Sequence, residues 1–473
     1  MNILVAIANY GNKNRDFLET VIKEYRSMPH QVDIVVFSNI PKDLGPGIEV
    51  IVGLPSPNPW SLPFAHKRVF AERANDYDLF IYTEDDTLVT EQNIRAFLEV
   101  TRVLPENEIA GFMRYEVEPA GRKYYSTVHS HFHWLPESVR TIGEYTFARF
   151  TNDHSACYVL TQKQLRMAID SGGYLVGPHD KRYDLLVTAA TDPYTQCGLT
   201  KVICISHFQD FVVHHLPDIY IGKLGVESAE FHRQIATLLK NVNNGNSRSC
   251  FFPVETGFKQ AKWSKSYYER CRDDVVAIIP GDAKDLLSVG CGWGATEEAL
   301  VRKGHRVAAV PLDPVIGACA EAKGVEVVSS DFEEAYETLA RRRFDGIIFT
   351  EVLQHLRDPE QVLSRFAQLL TENGIVIISA PNFNSIRMRK DLLSDGIPAC
   401  ALNSYDRTAL HLTTKRMVGK WLGRCGMNVD HARYGFEGRS RKVARLTMGL
   451  LNGLLAESLV VVGSKSTAEG MLK

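Results

Sequence analysis

The sequence predicts an α/β chain built from two domains. Three observations carry that prediction. The chain has 473 residues, more than one hydrophobic core ordinarily organises. Two separate stretches alternate apolar strand-like runs with helical patterns. Between them, in NVNNGNSRSC and FFPVETGFKQAK, periodicity fails and Asn, Gly and Ser gather. The expected division is a first domain over 1–240, a linker over 241–262 and a second domain over 263–473.

The first stretch opens with NILVAIANY, a buried strand. It lacks the basic start and cleavage site of a signal peptide. Asn14 is placed to cap a helix whose Phe17, Leu18, Val21, Ile22 and Tyr25 recur at helical spacing. VDIVVFSN and IEVIVGL follow as strands, SPNPWSLP as a loop and FAHKRVFAERA as a helix. DLFIYTEDD is the next strand. This alternation implies a largely parallel sheet covered on both faces, with ligands at the carboxyl ends of its strands.

The second stretch begins with an expected helix, SKSYYERCRDDVVAIIP, and a strand, DLLSVGCG. Three glycines, Gly290, Gly292 and Gly294, lie between that strand and a helix, where the backbone must turn sharply and approach a ligand. HRVAAVPLDP, VEVVSSDFEE and FDGIIFTEVLQHL supply further strands. Asp358 and Pro359 start a helix with a stripe of Val362, Leu363, Phe366, Leu369 and Leu370, and Gly374 is expected to end it. In LTMGLLNGLLAESLVVVG a helix and a final strand should meet at Glu457; its Asn, Glu and glycines argue against a membrane span.

Composition narrows the function. With 54 basic and 56 acidic residues the formal charge is -2, leaving no basic surplus for nucleic acid. The 9 cysteines are dispersed and form no CxxC pair, which reads as reduced thiols in a cytoplasmic protein. No basic amphipathic helix demands a membrane, although peripheral contact is compatible with the sequence.

The most conspicuous chemistry in the first half is FIYTEDDTLV, where an apolar strand ends in Glu84, Asp85 and Asp86. Adjacent carboxylates repel and resist desolvation, so either a cation sits there or the acids form an exposed turn. This trio, the alternating fold around it and the later NDHSACYVLTQKQL segment resemble the GT-A-type glycosyltransferases, over about residues 1 to 240. The resemblance implies transfer from a nucleotide sugar donor to a glycan or glycolipid acceptor, with Mn²⁺ or Mg²⁺ held by carboxylates. Asp86 would ligate directly, Glu84 or Asp85 would orient water or ribose, and His214 or His215 in FVVHHLP would add a ligand. Asp153 or Asp184 could serve as catalytic base. Lys67 and Arg68 could face the diphosphate or simply form a solvated helix face. His129, His131 and His133 would line the acceptor cleft or, with a fourth ligand not evident here, hold zinc.

The second half, from the GCGWG loop through EVLQHL to HLTTKRMVGKWLGRCGMNV, resembles the class I S-adenosylmethionine-dependent methyltransferases. It is most similar to O-methyltransferases like those of ubiquinone biosynthesis. That resemblance implies a Rossmann-like domain binding S-adenosylmethionine. Gly290, Gly292 and Gly294 would line its methionine end, Asp331 and Phe332 would meet the adenine, and Glu351, Leu353 and His355 would lie along the cofactor and acceptor pocket. His355 and His411 are the candidate bases for an acceptor hydroxyl. Two positions depart from the family pattern. Ser288 stands where an acid is usual in the first strand, and Pro311 where an acid grips the ribose; Asp313 could substitute. The expected function is sugar transfer coupled to O-methylation of a glycan. A first domain that only binds the acceptor, or two pseudo-enzyme domains acting as a scaffold, are the alternatives.

Overall fold

The computed structural model describes residues 1–126, 132–221, 225–243, 254–328, 332–394, 402, 404–438 and 440–465. The chain divides into two compact units, Met1–Ser247 and Arg248–Lys473.

The first unit is organised by a five-stranded sheet in the order Cys157–Thr161, Leu79–Glu84, Asn2–Asn9, Gln31–Ser38, Ile48–Val52. Four strands are parallel, and Cys157–Thr161 runs antiparallel against Leu79–Glu84. Ile3 to Ile7 are wholly buried, as expected of a continuous apolar run in a sheet covered on both faces. The helix Arg15–Ser27 buries Leu18, Val21, Ile22 and Tyr25, the stripe its spacing predicts. Asn14 occupies the cap position, but its side chain caps nothing; it turns to the acidic trio instead.

Two smaller sheets complete this unit. In one of them Val212–His215 lies antiparallel to Thr87–Leu88, with His215 opposite Thr87. That register delivers His215 to the end of the acidic strand. The helix Ser228–Asn243 runs past residue 241, where the linker was expected to begin.

The second unit holds a seven-stranded sheet ordered Glu326–Val327, Arg306–Pro311, Asp285–Cys291, Phe344–Thr350, Leu370–Pro381, Ser458–Lys465, Met427–Gly435. Only Ser458–Lys465 runs against its neighbours. The core packs Leu286, Leu300, Val307, Ile348, Ile377 and Val460.

Three expected elements change here. SKSYYERCRDDVVAIIP forms only a short helix, Asp273–Val276. Backbone groups ahead of it bond to distant partners: the Lys265 amide donates to the Val254 carbonyl, the Trp293 amide to the Tyr267 carbonyl, and the Arg272 amide to Thr296 Oγ1. Gly374 lies inside the strand Leu370–Pro381, because the helix stops at Ala367 and Leu370 already pairs with Phe344. In the late apolar stretch the expected helix shortens to Asn452–Leu455, after a turn that follows the helix Ser440–Leu446, and the strand Ser458–Lys465 begins just past Glu457 as expected. No helix among the described residues is long and apolar enough to cross a membrane. The described cysteines are free thiols.

Candidate functional site

In the first unit the strand Leu79–Glu84 delivers the acidic trio to the carboxyl end of the parallel sheet. Asp85 is buried and accepts from the amides of Asn9 and Asn14, the latter at 2.9 Å. Burial pushes its carboxyl up to about 6 despite the Asn14 bond. Glu84 is pushed further, to about 8, by burial and by the neighbouring charge of Asp86, and its Oε1 has no hydrogen-bond partner among the described residues. Arg114 and His215 near Glu84, and Lys42 near Asp85, offset this only in part.

Asp86 faces His215, with Oδ2 3.6 Å from Nε2. The other ring nitrogen, Nδ1, is 2.6 Å from Glu116 Oε1, and Glu116 also accepts from the Tyr220 amide at 2.7 Å. Burial opposes the imidazolium, but Asp86 and Glu116 outweigh it and raise the His215 pKa. A carboxylate behind one ring nitrogen fixes the tautomer that aims the other at a ligand. Nothing in RYEVEP singled out Glu116; only the pairing of Met113–Val117 with Val212–His215 reveals it. Asn9 and Asn14 were likewise unsignalled as partners of the acids.

His214 does not join the trio. Neighbouring strand residues point to opposite faces, and His214 stacks on Tyr115 with Nε2 3.2 Å from Asp218 Oδ1. Among the described residues no group of three or more His, Cys, Asp and Glu side chains is arranged to hold a metal ion. Of the expected ligands, Asp86 faces His215, whereas His214 is turned to Asp218; Asp85 is turned toward its two asparagines.

A cavity of about 490 Å³ opens beside the acids, walled by Tyr10, Asn14, Trp60, Leu62, Glu84 and Asp86 among others. Tyr10 and Trp60 are exposed on its rim. Neither expected base lines it. Asp184 instead caps Leu185–Thr188 through the amides of Leu186 and Val187. The Asp153 backbone amide donates to the Tyr183 hydroxyl and its carbonyl accepts from the buried Lys201. Lys67 is also buried, paired with Asp192, while exposed Arg68 pairs with Glu72. His129 and His131 lie outside the described residues; His133 is buried.

In the second unit the glycine loop closes Asp285–Cys291. Gly290 has φ +81°, and the pairing register slips there between Val289 and Cys291. A Cβ on Gly290 would meet the Val352 side chain at 2.6 Å, and one on Gly292 the Tyr267 carbonyl at 2.2 Å. Gly294 has φ +85° and would press on Ala320. The glycines thus let residues 267 and 352 close around the loop.

A buried carboxyl stands beside the strand position that lacks an acid. Ser288 Oγ donates to Glu297 Oε1 at 2.6 Å, both residues being buried. Burial raises the Glu297 carboxyl, partly offset by that bond. A carboxyl is therefore present beside the strand but carried by the following helix, Ala295–Arg302. Asp313 does not replace the acid missing at Pro311. Its Oδ1 accepts from the Val315 and Ile316 amides at 2.7 and 2.8 Å and caps Pro314–Glu321. Asp331 lies outside the described residues, and Phe332 opens the helix Phe332–Leu339 with its side chain undescribed.

At the end of Phe344–Thr350, Glu351 takes φ +48°, a conformation costly for a residue with a Cβ. It is held by Arg272 Nη1 at 2.8 Å, and Arg272 also reaches Asp274 with both arms of its fork. Asp274 and Glu351 together outweigh burial and raise the Arg272 pKa. Leu353, Gln354 and His355 follow in a buried single turn. Glu351, Gln354 and His355 line a cavity of about 320 Å³ with Lys265, Arg387 and Glu457. Gln354 Oε1 and His355 Nδ1 have no hydrogen-bond partner among the described residues. Burial, then the charge of Lys265, lowers His355 to about 3. His411 is occupied differently: Nε2 donates to the Leu356 carbonyl at 3.0 Å and its ring stacks on Tyr405.

The glycine turn, the Glu351 and Glu457 carboxylates and the Lys265 and Arg387 cations suit the amino-acid end of S-adenosylmethionine in their chemistry. Among the described residues, Pro311 stands where an acid usually grips the ribose, and Asp313 caps a helix. The sheet order, with one antiparallel strand next to the edge, and the glycine turn after its central strand define a class I methyltransferase fold. Residues 263–432 match the family model of a methyltransferase domain, so the second unit carries such a domain. A ubiquinone biosynthesis O-methyltransferase of Xylella fastidiosa (strain 9a5c) is 34% identical over 115 residues, 23% of this chain and 47% of that protein. One from Xanthomonas campestris pv. campestris (strain B100) is 32% identical over 115 residues, 23% of this chain and 48% of that protein. A solved SAM dependent methyltransferase from Archaeoglobus fulgidus gives a TM-score of 0.33 at 16% identity, covering 41% of this chain and 90% of that one. The chain spans about half the length of the curated relatives it matches.

Proposed function

We propose that the second unit methylates an acceptor hydroxyl using S-adenosylmethionine. One observation carries this reading: unpartnered buried polar atoms, Gln354 Oε1 and His355 Nδ1, line a cavity in the domain that matches the methyltransferase family. The cofactor would supply an electrophilic methyl group. The protein's part is to align the acceptor oxygen and exclude water. His355, lowered to about 3, stays neutral, so Nδ1 can accept a hydrogen bond from the acceptor hydroxyl. So weak a base orients the hydroxyl better than it removes its proton. Calorimetry of the full chain with S-adenosylhomocysteine tests the cofactor assignment. Binding supports it; no binding by folded protein refutes it and favours a scaffold.

We further infer that the first unit transfers a sugar from a nucleotide donor with a divalent cation. The chain of Asp86, His215 and Glu116 beside an open cavity favours this over an acceptor-binding module. Cation entry would bring Glu84, Asp86 and His215 Nε2 together and offset the charge that raises Glu84. In this reading the methylated hydroxyl lies on the sugar just added or on the same glycan or glycolipid. Binding of UDP or GDP that needs Mn²⁺ and is lost in Asp86→Asn supports the transfer. Absence of nucleotide binding leaves methylation as the chain's activity, with the first unit reduced to acceptor binding.

A further inference from the structure

The segment 440–455 presents apolar side chains to water. Leu446, Met448 and Leu450 are 83%, 88% and 85% exposed, and no other large apolar side chain among the described residues exceeds 63%. The turn that carries them is held in place: the Gly449 amide donates to the Ala444 carbonyl at 3.1 Å, and Met448 takes φ +47°. At its base Ser440 Oγ donates to Glu457 Oε2 at 3.1 Å, and Glu457 lines the cavity beside His355. Arg441, Lys442 and Arg445 are exposed on the adjoining helix.

We propose that this tip inserts into the surface of an anionic lipid bilayer. Apolar side chains with adjacent cations match the boundary between acyl chains and anionic headgroups. Three protruding side chains fall short of the roughly 800 Å² per partner that a stable protein interface needs. Insertion would bring the neighbouring cavity to headgroup level, where a lipid-linked acceptor is presented. The membrane contact itself does not depend on methyl transfer, and its test involves no turnover.

The test is sedimentation of the full chain with vesicles of mixed phosphatidylcholine and phosphatidylglycerol, and with pure phosphatidylcholine. Binding should occur on the anionic vesicles and weaken with salt. Neutralisation by Arg441→Gln, Lys442→Gln and Arg445→Gln should reduce partition by roughly 100-fold. The triple variant Leu446→Ser, Met448→Ser, Leu450→Ser should abolish it while melting as the parent does; these side chains are exposed, so the fold does not need them. Parent protein that stays in the supernatant overturns the proposal, as does a triple serine variant that sediments equally. Light scattering that shows a dimer lost in the serine variant, without vesicle binding, assigns the tip to a second copy instead.

Discussion

Burial first, and then the charge of Asp86, pushes the Glu84 and Asp85 carboxyls above the usual carboxylate range, more than the nearby Arg114, His215 and Lys42 offset. Both folded values lie above the unfolded ones, so the native state binds the extra protons. Stability from these groups is then complete below about pH 4 and is lost as pH rises through about 6 and 8. Thermal melts of metal-free protein should show that decline. Glu84→Gln should raise Tm at pH 8 by about 2–6 °C and change little at pH 4. A melting temperature for the variant that tracks the parent at both pH values would contradict it. At the other site, His355→Ala should slow methyl transfer by about 10–100-fold, the cost of one hydrogen bond to a reacting group. Because His355 is already neutral, the parent's rate should show no inflection near pH 6.5 from this residue; a rate profile titrating there, and lost in the variant, would restore the base.

Elements were legible where local pattern and tertiary demand agree. The apolar runs NILVAIAN and FDGIIFT are strands because both sheet faces are covered. The helix expected over 264–280 was not realised, since Lys265, Tyr267 and Arg272 bond through their backbones to residues far along the chain. Those partners are invisible to periodicity. The sites divide the same way: the acids and the glycine turn announce themselves, whereas Glu116 and Glu297 gain meaning only through strand register and helix packing. The Ser288–Glu297 pair makes a sharp prediction. Ser288→Asp puts a second acid against a buried carboxyl and should destabilise the domain by about 1–3 kcal/mol. Adding Glu297→Gln should recover most of that loss, a coupling readable by denaturant melts of the four variants. Gly292→Ala should also cost about 1–3 kcal/mol, because its Cβ would strike the Tyr267 carbonyl, and should weaken S-adenosylhomocysteine binding in calorimetry.

At the scale of the whole molecule, the described residues of each constellation belong to a single unit, the acids to the first and the glycine turn to the second. Nucleotide and S-adenosylhomocysteine should therefore bind independently: Asp86→Asn should remove the Mn²⁺-dependent nucleotide isotherm and leave the other Kd within about twofold. A change in both would tie the sites together. The second unit's fold was the more legible half, since its glycine turn sits at a fixed place in a fixed strand order. The Glu297 carboxyl was the less legible feature, because it reaches Ser288 from the following helix and not from the strand itself. That placement makes the two positions a single unit. An acid introduced at Ser288 alone puts two carboxyls in one dry space, and loss of the acid at Glu297 alone leaves the buried Ser288 hydroxyl without its acceptor. Neither position can be redesigned by itself; a substitution tolerated at one is defined by what stands at the other.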